Sequence, residues 1–379
     1  MNRKLIFIFI LISATVSAQT SAEQDSALVR QLELQMQQPV PMVTPQPQSS
    51  RMISTNPDIS AIGDFRSQYN SQGEHNFDTY FKQLEVQVSS VVDPYARANF
   101  LFAFGKDLPS DEFGGSLETA TLTTTSLPWG LELTAGKFKP HFTKVNQLHP
   151  HAFSFVNFPV MIANYFGDEG LFMEGFSTSW LVPNPLDFYQ ELNFEIGRTT
   201  AGPTLDHGHS NDLLLIGHLK NFFDLTDNST FELGFSALNG PDSVNSLTSM
   251  LGVDFTYKWK PVQFNTYQSF LWQTEIMSSD AVAIDGSNYK SFGAYTLLEY
   301  QLSRQWFIGT RFDYSNAALE RGKTDRAGSL LLKLQSSEFQ ILALEFQHIQ
   351  NVTEIETSNY NQIMFRVIFG IGTHAAHAY

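Results

Sequence analysis

The sequence predicts an all-β fold, a transmembrane antiparallel β-barrel of about 16 strands with short periplasmic turns and longer extracellular loops. Three observations lead there: an export leader opens the chain, no cysteine follows it, and from Asp58 onward apolar and polar residues alternate in runs long enough to cross a bilayer.

The leader comes first. Asn2, Arg3 and Lys4 form a basic start, Leu5 to Ile12 an unbroken apolar run, and Val16-Ser17-Ala18 a small-residue cleavage site before Gln19. This is the pattern of a secretory signal peptide over 1–18. The apolar run is short of the roughly 20 residues a helix needs to span a bilayer. With no cysteine at the cleavage site, lipid attachment is not expected, and with none elsewhere an exported chain must be held together without disulfides. A closed hydrogen-bonded barrel meets that demand. The next segment, 19–56, lacks Phe, Tyr and Trp. Asp25 to Gln38 fits a short amphipathic helix, with Leu28, Leu32 and Met36 at four-residue spacing, and Pro39, Pro41, Pro45 and Pro47 follow as an extended linker. It reads as a periplasmic lead-in, and 57–379 as the barrel.

Composition excludes several classes. Net charge is −15, and becomes −17 once Arg3 and Lys4 leave with the leader. A nucleic-acid partner would demand a basic face, so none is expected. Mean hydropathy is −0.16, yet aromatics make up 13%, with 33 Phe and 13 Tyr. No long apolar stretch follows the leader, which argues against membrane helices. Alternating strands average to mild hydropathy, which suits a barrel.

The alternation is plain in Leu251 to Lys260, where Leu251, Val253, Phe255, Tyr257 and Trp259 share one face and Gly252, Asp254, Thr256, Lys258 and Lys260 the other. The same rule gives strands near 58–68, 81–92, 95–105, 116–127, 130–139, 171–182, 187–199, 212–225, 230–238, 247–260, 264–278, 288–302, 305–315, 326–335, 339–349 and 360–372. Connections after even-numbered strands are short, such as Asp93-Pro94 and Ser303-Arg304. Those after odd-numbered strands are mostly longer and polar, such as Thr200 to Asn211. An even count returns both ends to the side from which the chain was exported. Tyr379 falls on the lipid-facing parity of the last strand and resembles the terminal aromatic by which barrel-assembly machinery recognises outer-membrane proteins.

Sixteen strands are expected to enclose a water-filled lumen. By parity the lumen receives Glu85, Arg97, Glu191, Glu195, Asp254, Lys258, Glu275, Glu299, Arg311, Asp313, Lys333, Glu345 and Arg366, an acidic excess that leans toward cations. The longest connection, 140–170, is rich in aromatic and apolar residues that a solvated loop would not need. It is the expected constriction, with His141, Lys144, Asn146, Gln147, His149, His151, Asp168 and Glu169 at the pore. Three histidine pairs, His149 with His151, His207 with His209, and His374 with His377, could hold zinc weakly, with Asp168, Asp206 or Asp212 beside them. None matches a strong metal template, and surface histidines without a ligand are the commoner case. No GxSxG, Walker or HExxH motif is present, so an enzyme is not expected.

Val91-Val92-Asp93-Pro94-Tyr95-Ala96-Arg97-Ala98, Leu117 to Pro128, Ala135-Gly136-Lys137-Phe138, Asn146 to His151 and Ile368 to His374 together resemble a family of Gram-negative outer-membrane proteins with a porin-type barrel. Its members are often labelled phosphate-selective-porin-like or zinc-regulated TonB-dependent outer-membrane receptors. The resemblance runs from about Asn56 to Tyr379. It implies the barrel, an outer-membrane location among lipid, and, by analogy with porins, a homotrimer. A TonB-dependent receptor carries a plug inside a barrel of about 22 strands, and 19–56 leaves no room for one. A phosphate pore needs a ladder of Arg and Lys, which an acidic lumen does not offer. The function expected is therefore passive diffusion of small hydrophilic solutes or ions through a loop-narrowed pore. The alternatives are a receptor or uptake protein for a metal such as zinc, and a filled structural barrel whose loops bind a partner.

Overall fold

The computed structural model describes residues 57–372, save 73–75, 107–112, 187, 203, 207–211, 243–245, 283–284 and 354. The leader, the 19–56 segment, His207, His209, His374, His377 and Tyr379 lie outside the described residues.

Sixteen antiparallel strands form one closed wall. They are β1 (Asp58–Asn70), β2 (Phe77–Asp93), β3 (Ala96–Lys106), β4 (Phe113–Thr124), β5 (Leu131–Phe138), β6 (Met173–Leu181), β7 (Tyr189–Arg198), β8 (Leu214–Thr226), β9 (Ser229–Pro241), β10 (Leu247–Trp259), β11 (Phe270–Val282), β12 (Asn288–Gln301), β13 (Trp306–Asn316), β14 (Thr324–Ser337), β15 (Gln340–Val352) and β16 (Thr357–Gly372). Each pairs with its sequence neighbour, and β1 closes on β16 through a register running from Ser60 opposite Gly372 to Asn70 opposite Gln362. Closure leaves no unpaired strand edge, the condition for placing strands in hydrocarbon.

The faces are inverted relative to a soluble protein. Phe176, Leu251, Phe312 and Leu330 are exposed on the outside, while Asp254, Glu275, Arg311 and Arg366 are buried on the inside. In β10, exposed Leu251 and Val253 alternate with buried Met250, Gly252 and Asp254. No helix among the described residues is long and apolar enough to cross a membrane.

Two details depart from the sequence reading. β11 begins at Phe270 and not near 264, because Val262–Phe264 forms a 3-10 turn, with the Phe264 N–H donating to the Pro261 carbonyl at 3.0 Å. The long side of the barrel owes its length to two connections, 139–172 and 199–213, while 317–323 and 353–356 on that side are as brief as the turns opposite.

Two bulges interrupt the strict alternation of the wall. Leu101 pairs with Thr119 and Phe102 with Leu117, leaving Glu118 as the extra residue of β4. Asp64 pairs with Gln83 and Phe65 with Phe81, leaving Lys82 as the extra residue of β2. A bulge re-aims the side chain it adds.

Candidate functional site

The segment between β5 and β6 turns into the barrel directly after Phe138. It makes 3-10 turns at Val145–Gln147 and Pro150–Ala152 and a short helix, α1 (Val160–Phe166). Phe142, Val145, Phe155, Met161, Ile162, Tyr165 and Leu171 have 0% exposure, packed with Met250, Met277, Tyr295, Leu297 and Met364 of the wall. The barrel thus contains a small hydrophobic core built from its own loop. Full burial of one such side chain contributes about 1.5–3 kcal/mol, enough in aggregate to hold an irregular segment in place.

An irregular segment cannot pair its own backbone, so buried N–H and C=O groups must find partners elsewhere. The wall supplies them by charge type. Carboxylates accept from peptide N–H groups: Glu195 from His141 at 3.0 Å, Glu275 from Val145 at 2.8 Å, Glu345 from Val156 at 2.7 Å and Asp313 from Val160 at 3.2 Å. Arginines donate to carbonyls: Arg311 to Asn157 at 2.8 Å, and Arg366 to Pro150 at 2.7 Å and Phe155 at 3.2 Å. The arginines are themselves tied to acids, Arg311 to Asp313 at 2.7 Å and Arg366 to Asp64 at 2.9 Å.

Side chains of the segment add to this. His141 Nδ1 lies 2.6 Å from Glu195, Lys144 donates to Glu232 at 2.6 Å, His149 Nδ1 lies 3.0 Å from Glu118 and His151 Nδ1 2.9 Å from Glu85. Glu169 accepts from Lys82 at 3.1 Å, and Asn164 donates to Asp325 at 2.9 Å. Asn146 faces its own segment, donating to the Pro140 and Leu171 carbonyls and accepting from the Leu171 N–H. The Gln147 side chain donates to the Thr143 carbonyl at 3.5 Å. Asp168 is exposed. Burial pushes the Lys139 ammonium down to about 8 against the pull of Glu169, Glu118 and Glu85, and it donates to the Glu169 carbonyl.

The contacts run from β1 round to β16, so the segment crosses the barrel from wall to wall. Most of the charges expected in the lumen therefore meet the segment or one another. Glu195, Glu275, Asp313 and Glu345 have 0% exposure, Asp254, Arg311 and Arg366 1%, and Glu85 3%. Glu299 and Lys333 are bonded to each other at 2.8 Å. Arg97, Glu191 and Lys258, nearer the short turns, are less buried. Two cavities lie on the β5–β9 side. One cavity of about 360 Å³ is lined by Glu132, Thr134, His141, Ser177 and Glu191, another of about 790 Å³ by Tyr189, Lys220, Phe222 and Glu232. From the opposite end the segment is covered by two other connections. Thr204 donates to the Tyr165 carbonyl at 2.6 Å, Leu205 is fully buried in the core, and Ala318 joins it.

Parity does not single out Asp64, Arg66 (which donates to the Asn157 side chain at 3.4 Å), Lys82, Glu118, Lys144's partner Glu232, or Lys139 as wall or contact residues. Glu118 and Lys82 are bulge residues, which strict alternation cannot place. Asp64, Arg66 and Glu232 do follow the inward parity of their strands, and extending the count to β1 and β9 would have found them.

No protein-family model matches the chain. It is 25% identical over 338 residues, 78% of this chain and 69% of the relative, to an uncharacterised protein of Aquifex aeolicus. Among solved structures it is similar to the outer-membrane channel DcaP of Acinetobacter baumannii, with a TM-score of 0.58 at 10% identity over 83% of this chain and 97% of that one. It is similar also to an anion-selective porin from Comamonas acidovorans, at 0.56 and 11% over 83% and 99%, and to Salmonella typhi OmpF, at 0.56 and 8% over 83% and 97%. At such identities the likeness concerns the fold, which is that of the outer-membrane porins.

Proposed function

We propose that this chain is an outer-membrane channel of porin type whose resting state is closed by the 139–172 segment. The observation that carries this reading is an inner wall whose charged groups bond the backbone of an inserted loop. Filling a barrel permanently is achieved at lower cost with apolar side chains, since buried ion pairs carry a desolvation penalty of several kcal/mol per ion. A wall of Asp, Glu, Arg and Lys suits a lumen that takes up water when the segment leaves. The channel and porin descriptions of its fold relatives support the same class, and the Gram-negative outer membrane is the matching location. Transport is by diffusion of small hydrophilic solutes or ions once the lumen is clear, and assembly as a homotrimer follows the porin analogy, to be checked by native mass spectrometry.

Planar-bilayer recording tests the proposal. Wild type is expected to be mostly silent with rare stepwise openings. Replacing residues 143–168 by a short Gly-Ser link is expected to give large, ohmic, permanent conductance. Steady full conductance from wild type would overturn the closed state, and silence from the folded deletion would overturn the channel. The second outcome would favour a filled barrel acting through its outer loops, a reading supported by the cover that 199–206 and 317–319 place over the segment.

A further inference from the structure

We propose that Glu85, Glu118 and His149 form a binding site for one divalent transition-metal cation of the zinc class, clamping the inserted segment to the wall. Glu85 Oε2, Glu118 Oε2 and His149 Nδ1 converge from three places in the chain, and the potential ligand atoms of these residues lie within 4.8 Å of one another. His149 Nδ1 is 3.0 Å from Glu118 Oε2 and 3.9 Å from Glu85 Oε2. Metal–ligand distances of about 2.0–2.1 Å in a tetrahedral site place ligand atoms about 3.4 Å apart. The two observed separations bracket that spacing, so small side-chain rotations complete the site.

A second observation is independent of the clustering. Glu85 Oε2 is buried and accepts no hydrogen bond among the described residues, while Glu85 as a whole is 3% exposed. A carboxylate oxygen held out of water without a donor is costly, and a cation at this point removes the cost. The surroundings are built for it. His151 Nδ1 holds Glu85 Oε1 at 2.9 Å and Gln83 donates to Glu118 Oε1 at 2.6 Å, so each carboxylate has one oxygen fixed and the other turned to the site. The His151 ring is stacked on that of His149 at 6.0 Å. Partners that orient ligands in this way are usual around protein metals. Two carboxylates and a neutral imidazole, with a position left for water, suit zinc better than magnesium. A cation bound at Nδ1 of the neutral His149 ring would leave the ring proton on Nε2. Lys139 works against the cation by its charge, which its depressed basicity lessens.

The site depends on the inserted position of 139–172 and not on whether the barrel conducts, so the test measures binding and leaves conductance aside. Isothermal titration of the purified full-length protein with Zn²⁺ is expected to show one more equivalent in wild type than in Glu118→Gln or His149→Asn. Other histidines of the chain contribute equally to all three. His151→Asn is expected to weaken that equivalent at least tenfold. Heat-modifiable migration on gels verifies that each variant is folded. Without any substitution, Zn²⁺ and not Mg²⁺ is expected to raise the thermal midpoint of wild type over its EDTA-treated form. Equal zinc stoichiometry and affinity in wild type and both folded ligand variants would overturn the site. So would an unchanged midpoint in wild type.

Discussion

His141 is held to the wall twice, by its peptide N–H and by its ring, both to Glu195. Burial works against the charged ring, but the bond to Glu195 and its charge, with Glu191 behind, outweigh burial and raise the His141 pKa above the ordinary histidine value. Lys220 opposes this, and the His218 ring stacks at 6.4 Å. A raised pKa means the charged pair contributes fully below the ordinary value and is lost as pH climbs through the raised one. Openings of wild type should therefore become more frequent with rising pH in that window, and His141→Asn should flatten the profile. An identical profile in recordings of the variant would remove His141 from the closing contacts. Asp254 makes the opposite case. It faces Glu275 directly across β10 and β11, both buried, with Asp254 Oδ2 and Glu275 Oε2 lacking donors among the described residues. Like charges directly opposite one another on a sheet are destabilising. Asp254→Asn is expected to raise the thermal midpoint at pH 8, and a lower midpoint would contradict it.

The inserted segment and the wall are shaped to each other. A Cβ on Gly293 of β12 would stand 2.7 Å from Met161 Cβ in α1, and one on Gly252 of β10 would stand 2.9 Å from Thr143 Cγ2. These inward positions are notches into which the segment fits. Thr143 itself is fully buried at φ 60°, a left-handed conformation that a β-branched residue adopts only at a cost of about 1–3 kcal/mol. The element therefore carries local strain balanced by its bonds to the wall. Gly293→Leu is expected to displace α1, since overfilling a packed site costs about 1–3 kcal/mol. Limited proteolysis should then cut within 139–172 and conductance should rise. A variant as resistant and silent as wild type would show that the notch is not needed.

At the scale of the whole molecule, wall and filling are separate sources of stability. The ladder closes through β1 and β16 without help from the loop. The deletion of residues 143–168 is accordingly expected to remain a heat-modifiable barrel in detergent, with a lower unfolding midpoint than wild type. The reduction measures what the internal core and its ion pairs contribute. Loss of the folded band altogether would mean that the wall depends on its filling.

The wall was legible in the chain because each strand is a local pattern: a side-chain period of two and a turn. All 16 strands could be placed from it, with ends off by up to six residues, the largest miss being the start of β11. The loop that matters was also legible, since Phe142, Phe153, Phe155 and Tyr165 have no reason to sit in a solvated connection. Its depth was not. Whether 139–172 narrows a pore or spans it depends on distances across the barrel, between residues such as Val156 and Glu345 that are far apart in sequence. Parity could assign Glu345 to the inside but not its partner, and it could not assign Glu118 at all, because one bulge shifts the count. Short-range periodicity thus determined the architecture. Only the tertiary structure decided that Glu195, Glu275, Asp313, Glu345, Arg311 and Arg366 face backbone amides and carbonyls of the inserted segment, because that pairing is set by closure in three dimensions and leaves no mark on neighbouring residues.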